Sequence, residues 1–173
     1  MASYTERPAL DLGAGRAVLD EDLPKALRRA DVECLDELGW SRPNPHTLLV
    51  PLLGSLGGTT ETYLLKLHFR TGRDWPPGAQ FVNPDTLDYA YPADVRHLPI
   101  LESPQVHVHP QYNANGYLSQ LICCSATCEY YDSLHGGEEK FLWQSTDTFL
   151  VTLDAIGRAM NSAAYKGRNL NGR

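Results

Sequence analysis

The residues best suited to chemistry lie close together in the chain. From His107 to Cys128 it reads HVHPQYNANGYLSQLICCSATC, with two histidines, several side-chain amides, Ser119 and three of the four cysteines, Cys123, Cys124 and Cys128. Three chemistries compete for this stretch. A zinc site would use His107 and His109, which alternate with Val106 and Val108 and so point to one face of a strand, together with Cys124 and Cys128. That spacing departs from the tight Cys-x-x-Cys pairs of structural zinc sites, so no metal is expected. Packing suits LICC, because free cysteine is among the most buried residue types, and at least one of Cys123 and Cys124 is expected to face the core. A nucleophile site needs a thiol or hydroxyl on an exposed loop, near groups that lower its pKa or hold an oxyanion. Gln111, Asn113 and Asn115 bring amide donors, His109 can orient the loop, and Tyr112 and Tyr117 can wall it.

The rest of the chain must position these groups. Its 173 residues suffice for one domain with one core. A net charge of −6 without a basic stripe argues against nucleic acid as a partner. No apolar run reaches membrane-spanning length. The start, MASYTERPALDLG, lacks the apolar segment of an export signal, so free thiols and a cytoplasmic location are expected.

Residues 1–19 carry Gly13 and Gly15 with little periodicity and are expected to form a flexible arm. In DEDLPKALRRADVECLDELGW the residues Leu23, Leu27, Ala30, Cys34 and Leu38 recur at helical spacing, with Pro24 near the start and Gly39 as a stop. That pattern predicts one amphipathic helix with Cys34 in the core. HTLLVPLL, a turn at GSLGGTTE, TYLLKLHF with its alternating Leu65, Leu67 and Phe69, the Pro-rich RTGRDWPPG and the short AQFV predict an antiparallel meander. Residues 84–104 look irregular before QVHVH alternates again. Then WQSTDTFLVTLDAIGRAMNSAAY places Phe149, Leu150, Leu153, Ile156, Ala159 and Met160 on one helical stripe, with Ser145 or Thr146 as a cap. Residues 166–173 are expected to be a basic, frayed tail, leaving 20–165 as the folded domain. The fold class is α+β, with helices flanking one sheet.

The order of these elements, with TYLLKLHF, WPPG, HPQYNANGYL and WQSTDTFLVTLDAIG, resembles the ubiquitin-conjugating enzymes, the UBC fold, over roughly residues 20–165. The resemblance implies an N-terminal helix, a four-stranded antiparallel meander and a C-terminal helix packed on the sheet. His109 and Pro110 match the His-Pro of the family signature. Gln111 stands where the family has an oxyanion-stabilising Asn, with Asn113 as an alternative donor. Asn115-Gly116 matches the turn before the active residue, and Trp143 matches the Trp before the next helix, although the intervening segment is longer than usual.

Where the family places its cysteine this chain has Ser119. Three explanations stand: an engineered Cys-to-Ser change that turns a labile thioester into a more stable oxyester, a natural inactive variant that only binds a ubiquitin-like protein, or transfer of the thiol role to Cys123 or Cys124. Native catalysis by Ser119 is the least attractive, because a serine hydroxyl is a poor nucleophile without an adjacent base. The plain alternative is a solvated loop serine.

The resemblance implies an acyltransferase. It would take a ubiquitin-like modifier from an activating enzyme and pass it to a nucleophile on a target protein, with no cofactor of its own. The divergent signature and long loop are more similar to bacterial members of the fold, which often belong to antiviral operons. The competing class is a UBC-fold module that only binds a ubiquitin-like protein. In the loop after the thiols, Asp132, His135 and Gly136-Gly137 would gate the site or activate an acceptor, or simply form a polar loop. Glu138, Glu139 and Lys140 are expected to form a solvated face, and Trp75 with Pro76 and Pro77 to be structural.

Overall fold

Alternation along Thr59–His68 makes this strand the centre of the molecule. Tyr63, Leu65 and Leu67 are buried, while Leu64, Lys66 and His68 between them keep partial exposure. The computed structural model describes residues 8–114, 117–132 and 143–171. In chain order it contains α1 (Leu12–Ala30), β1 (Ser41–Asn44), β2 (Thr47–Leu56), β3 (Thr59–His68), β4 (Gly78–Val82), β5 (Pro99–Leu101), β6 (His107–Ala114), β7 (Tyr117–Cys123), α2 (Cys128–Asp132), α3 (Phe149–Met160) and β8 (Tyr165–Arg168). The first four strands form an antiparallel sheet in the order β1-β2-β3-β4. Pairing of β2 with β3 is unbroken from Thr47↔His68 to Leu56↔Thr59. Their turn is Gly57-Gly58, both at positive φ, as primed hairpin turns require.

One face of the sheet carries Leu48, Val50, Tyr63, Leu65, Leu67, Ala79 and Phe81. It shares a core cluster with Leu19, Leu23 and Ala26 of α1 and with Phe149, Leu153, Ile156 and Met160 of α3. Phe149 meets Phe69 edge-on at 5.8 Å, as aromatic pairs prefer. The molecule is therefore α+β, with an N-terminal helix, a four-stranded antiparallel sheet and a C-terminal helix. Among the described residues no helix is long and apolar enough to cross a membrane.

Two expectations fail at the ends of the chain. The first helix starts at Leu12, inside the stretch expected to be an arm, with the Asp11 carboxylate accepting from Ala14 N at 2.9 Å. It ends at Ala30 because Asp31 takes the left-handed conformation and its N–H caps Arg28 and Leu27. A separate 3-10 turn, Leu35–Leu38, follows. Cys34 is thereby thrown off the apolar stripe and is exposed, not core. Pro24 lies inside the helix rather than near its start.

At the other end, residues 166–168, expected to belong to a frayed tail, form β8 with Tyr165, and β8 pairs with β5 inside the segment expected to be irregular. Long-range polar anchors hold β8 there. The Tyr165 hydroxyl shares a hydrogen bond with that of Tyr63 at 2.8 Å, and Arg168 donates to Glu61 at 2.9 Å. The Arg168 guanidinium also lies 4.4 Å from the centre of the Tyr63 ring. At α3 the N-cap residue is Thr148, and no side chain caps it, so neither Ser145 nor Thr146 does so.

Candidate functional site

The chemistry-bearing stretch folds as a β-hairpin, β6 against β7, rather than as a loop. The pairs His107↔Cys123, Val108↔Ile122 and His109↔Leu121 are regular. A bulge at Pro110-Gln111 opposes Gln120, and Tyr112↔Ser119 and Asn113↔Leu118 follow. Val108 and Ile122 are buried in the core. Strand alternation then puts His107, His109 and Tyr112 of β6 on the opposite face, with Ser119, Leu121 and Cys123 of β7. The rings form a ladder, His107 to His109 at 4.4 Å and His109 to Tyr112 at 5.4 Å. Leu121 is buried at the middle of this face, while Ser119 is exposed at its end.

The hairpin and α2 are tied to the sheet by contacts along the free edge of β4. Gln120, 3% exposed, accepts from Phe81 N at 2.7 Å and donates to Phe81 O at 2.8 Å. Two residues earlier along β4, Ala79 N donates to Glu129 Oε2 at 3.1 Å, and Pro77 O accepts from Cys128 N at 3.1 Å. Tyr89 clamps the bulge by donating to Pro110 O at 2.8 Å. An open β edge presents unpaired backbone groups, and these contacts satisfy them while fixing where the hairpin sits. Replacing Gln120 by Leu leaves both polar groups of Phe81 unsatisfied in a buried place, an expected loss of about 2–4 kcal/mol. Urea unfolding measures the loss, and amide exchange at Phe81 should speed up with it. Unchanged stability would mean that the hairpin is held elsewhere.

The structure sorts the candidate residues. His109 shares its face with Ser119 and Cys123. Asn113 is paired with Leu118, one residue out of phase with Ser119, and so belongs to the other face; Gln111 is exposed within the bulge. Cys123 is half-buried across from His107. Cys124 is 1% exposed, and burial pushes its thiol up to about 11, which keeps it protonated at neutral pH. It is packing rather than a nucleophile. Cys128 is half-buried at the start of α2. Among the described residues no three His, Cys, Asp or Glu side chains are placed to hold a metal ion, so the set His107, His109, Cys124 and Cys128 does not assemble. Asn115-Gly116, His135, Gly136-Gly137 and Glu138–Lys140 lie outside the described residues.

Sequence reasoning missed a second cluster. On the outer face of the sheet His68 Nε2 lies 3.0 Å from Glu129 Oε1, both largely buried. Burial acts to raise the Glu129 pKa, but the hydrogen bonds it accepts from His68 and from the amide of Ala79 hold the carboxyl below the usual range. Gly78 lies directly under the pair, where a Cβ would sit 1.8 Å from His68 Cε1 and 2.5 Å from Glu129 Oε1. The sequence signal was only His68 as a polar position of an alternating strand. Its partner lies 61 positions away in sequence (129 − 68).

Compared with family models, curated proteins and solved structures, the chain has no match.

Proposed function

We propose that this protein is a UBC-like acyl carrier that accepts the C-terminal acyl group of a ubiquitin-like protein on the outer face of the β6–β7 hairpin, at Ser119. The observation that carries the reading is the register. It sets an exposed Ser119 directly across from Tyr112 and on the same face as His109, at the end of a hairpin whose sequence is HPQYNANGYLS. The helix, four-stranded meander and later helix that flank this hairpin come in the order the resemblance implies.

In the proposed step the Ser119 hydroxyl oxygen attacks the thioester carbonyl of the modifier carried by an activating enzyme. A C–O bond forms and the C–S bond breaks. His109 takes the hydroxyl proton and returns it to the departing thiolate. The oxyester then passes its acyl group to a nucleophile on a target protein. ATP is spent upstream, by the activating enzyme. The same face also offers Cys123 as a thiol, next to His107. An origin among bacterial conjugation systems of the antiviral kind accords with the divergent His-Pro-Gln signature.

The second reading is a module that binds the modifier without carrying it. The observation in its favour is that Asn113 belongs to the face away from Ser119, which removes an oxyanion donor from the nucleophile. Covalent charging by modifier, activating enzyme and ATP separates the two readings. A carrier gives an adduct that maps to the hairpin, and a binding module gives only a reversible complex.

A further inference from the structure

A cavity of about 330 Å³ opens beside α2, and it is lined by groups that the hairpin chemistry does not use. Trp75, Pro76 and Leu10 supply apolar walls, and Arg70, His68 and Cys128 supply polar ones. Pockets with apolar walls and a few convergent polar groups are the usual form of small-ligand sites. The polar groups here include a thiol, an imidazole and a cation. The imidazole is held in place by its Nε2 contact with the Glu129 carboxylate, over a glycine that leaves it room. Among the described residues, Nδ1 of His68 is buried without a hydrogen-bond partner. The clamp on Nε2 leaves that nitrogen as the one able to exchange a proton.

We propose that this cavity is a second nucleophile site, in which Cys128 attacks a small anionic acyl donor such as a short acyl thioester. His68 takes the thiol proton, and Glu129 is a positioning residue for His68. As the new Sγ–C bond forms, the donor's C–S bond breaks, and the departing thiolate receives the proton from His68. Arg70 gives the mouth of the cavity a preference for negative charge, while Trp75 and Leu10 receive the apolar part of the acyl group. The volume admits a small molecule, not a folded domain.

Thiol alkylation tests this on the intact chain. Limiting iodoacetate, and separately iodoacetamide, is applied in short pulses, and labelling at each cysteine is quantified by peptide mass mapping. Cys128 is expected to react about tenfold faster than the exposed Cys34, because thiolate character rather than exposure sets the rate. The ratio of iodoacetate to iodoacetamide labelling should be higher at Cys128 than at Cys34. Arg70→Gln should bring that ratio down to the Cys34 value. His68→Gln should slow Cys128 to the rate of Cys34 and leave Cys34 itself unchanged.

Faster labelling of Cys34 in the wild-type chain, or a charge preference at Cys128 that survives Arg70→Gln, overturns the proposal. If His68→Gln does not fold, the exposed Arg70 variant and the wild-type rates still decide. A purely structural His68–Glu129 clamp would leave the charge ratio untouched. None of these readouts depends on a modifier protein, so failure here is separate from failure of the hairpin reading.

Discussion

Replacing Asp22 by alanine is expected to destabilise the protein by about 3 kcal/mol, one of the two largest single-residue effects in the account. Asp22 is fully buried on α1, and its two oxygens accept from Nη2 and Nη1 of Arg73, each at 2.9 Å. Arg73 also donates to Asp147 O at 3.1 Å, and its own carbonyl accepts from Trp143 Nε1 at 2.8 Å. One guanidinium thus ties α1, the connection between β3 and β4, and the approach to α3 together. Removing the carboxylate leaves a largely buried cation short of its best partner. The loss stays at the low end of the range for broken buried pairs because Glu21 still lies 3.0 Å from Arg73 Nη2 and Asp147 O remains. Urea unfolding with an unchanged m-value checks it. The paired change Asp22→Leu with Arg73→Leu should recover part of the loss, since neither charge is then stranded. A loss below about 1 kcal/mol for Asp22→Ala, the size of a solvated surface pair, would mean that the bridge is not a structural tie.

Gly15→Ala is expected to destabilise, against helix propensity. Propensity alone favours alanine by about 1 kcal/mol inside a helix. At Gly15 a Cβ would sit 2.1 Å from Phe69 O and 2.5 Å from Phe69 C, both backbone atoms that no side-chain rotation can move aside. The contact is fixed from both sides, since Asp11 N donates to Arg70 O at 2.7 Å next to it. Pushing α1 off β3 should cost more than about 2 kcal/mol net, an overpacking penalty that exceeds the propensity gain. Gly157→Ala in α3 is the control. Nothing lies within 4 Å of its Cβ position, and there alanine should stabilise by about 0.5–1 kcal/mol. Thermal melts of the two variants should move in opposite directions. A Gly15→Ala melt at or above wild type would refute the close approach.

These two sites also show why the sequence was legible in some places and opaque in others. Period alone identified β3, through Leu65, Leu67 and Phe69, and α3, through Phe149, Leu153, Ile156 and Met160, because each buries one continuous apolar face on one core. The turn expected over GSLGGTTE is only Gly57-Gly58, and the residues on either side of it extend β2 and β3. Gly15 misled for the opposite reason. A helix that lies against a backbone needs glycine, and propensity reasoning counts that glycine as a breaker. Cys34 kept helical spacing but fell beyond a left-handed Asp31 that no pattern marks.

In the candidate site, the face shared by His109 and Ser119 depends on a one-residue bulge, and the same bulge sends Asn113 to the other side. A slip of one residue inverts a strand's faces, and spacing, which showed a strand only at QVHVH with a Cys-rich loop after it, placed neither the second strand of the hairpin nor its chemistry. Gln120, His68 with Glu129, and β8 were invisible because each works through a partner distant in sequence.

We propose that the outer face of the β6–β7 hairpin carries an acyl group at Ser119. The most direct measurement is to incubate the chain with a ubiquitin-like protein, its activating enzyme and ATP, and to map any covalent adduct by non-reducing mass spectrometry. Ser119→Cys, Ser119→Ala and Cys123→Ala are run beside the unaltered chain. The expected result is an adduct on Ser119 that resists thiol reductants, a faster-forming and thiol-labile adduct in Ser119→Cys, and no adduct in Ser119→Ala. An adduct that persists in Ser119→Ala and is lost in Cys123→Ala would contradict it and move the chemistry to the neighbouring thiol. Reversible binding with no adduct in any variant would contradict it in favour of a module that only binds.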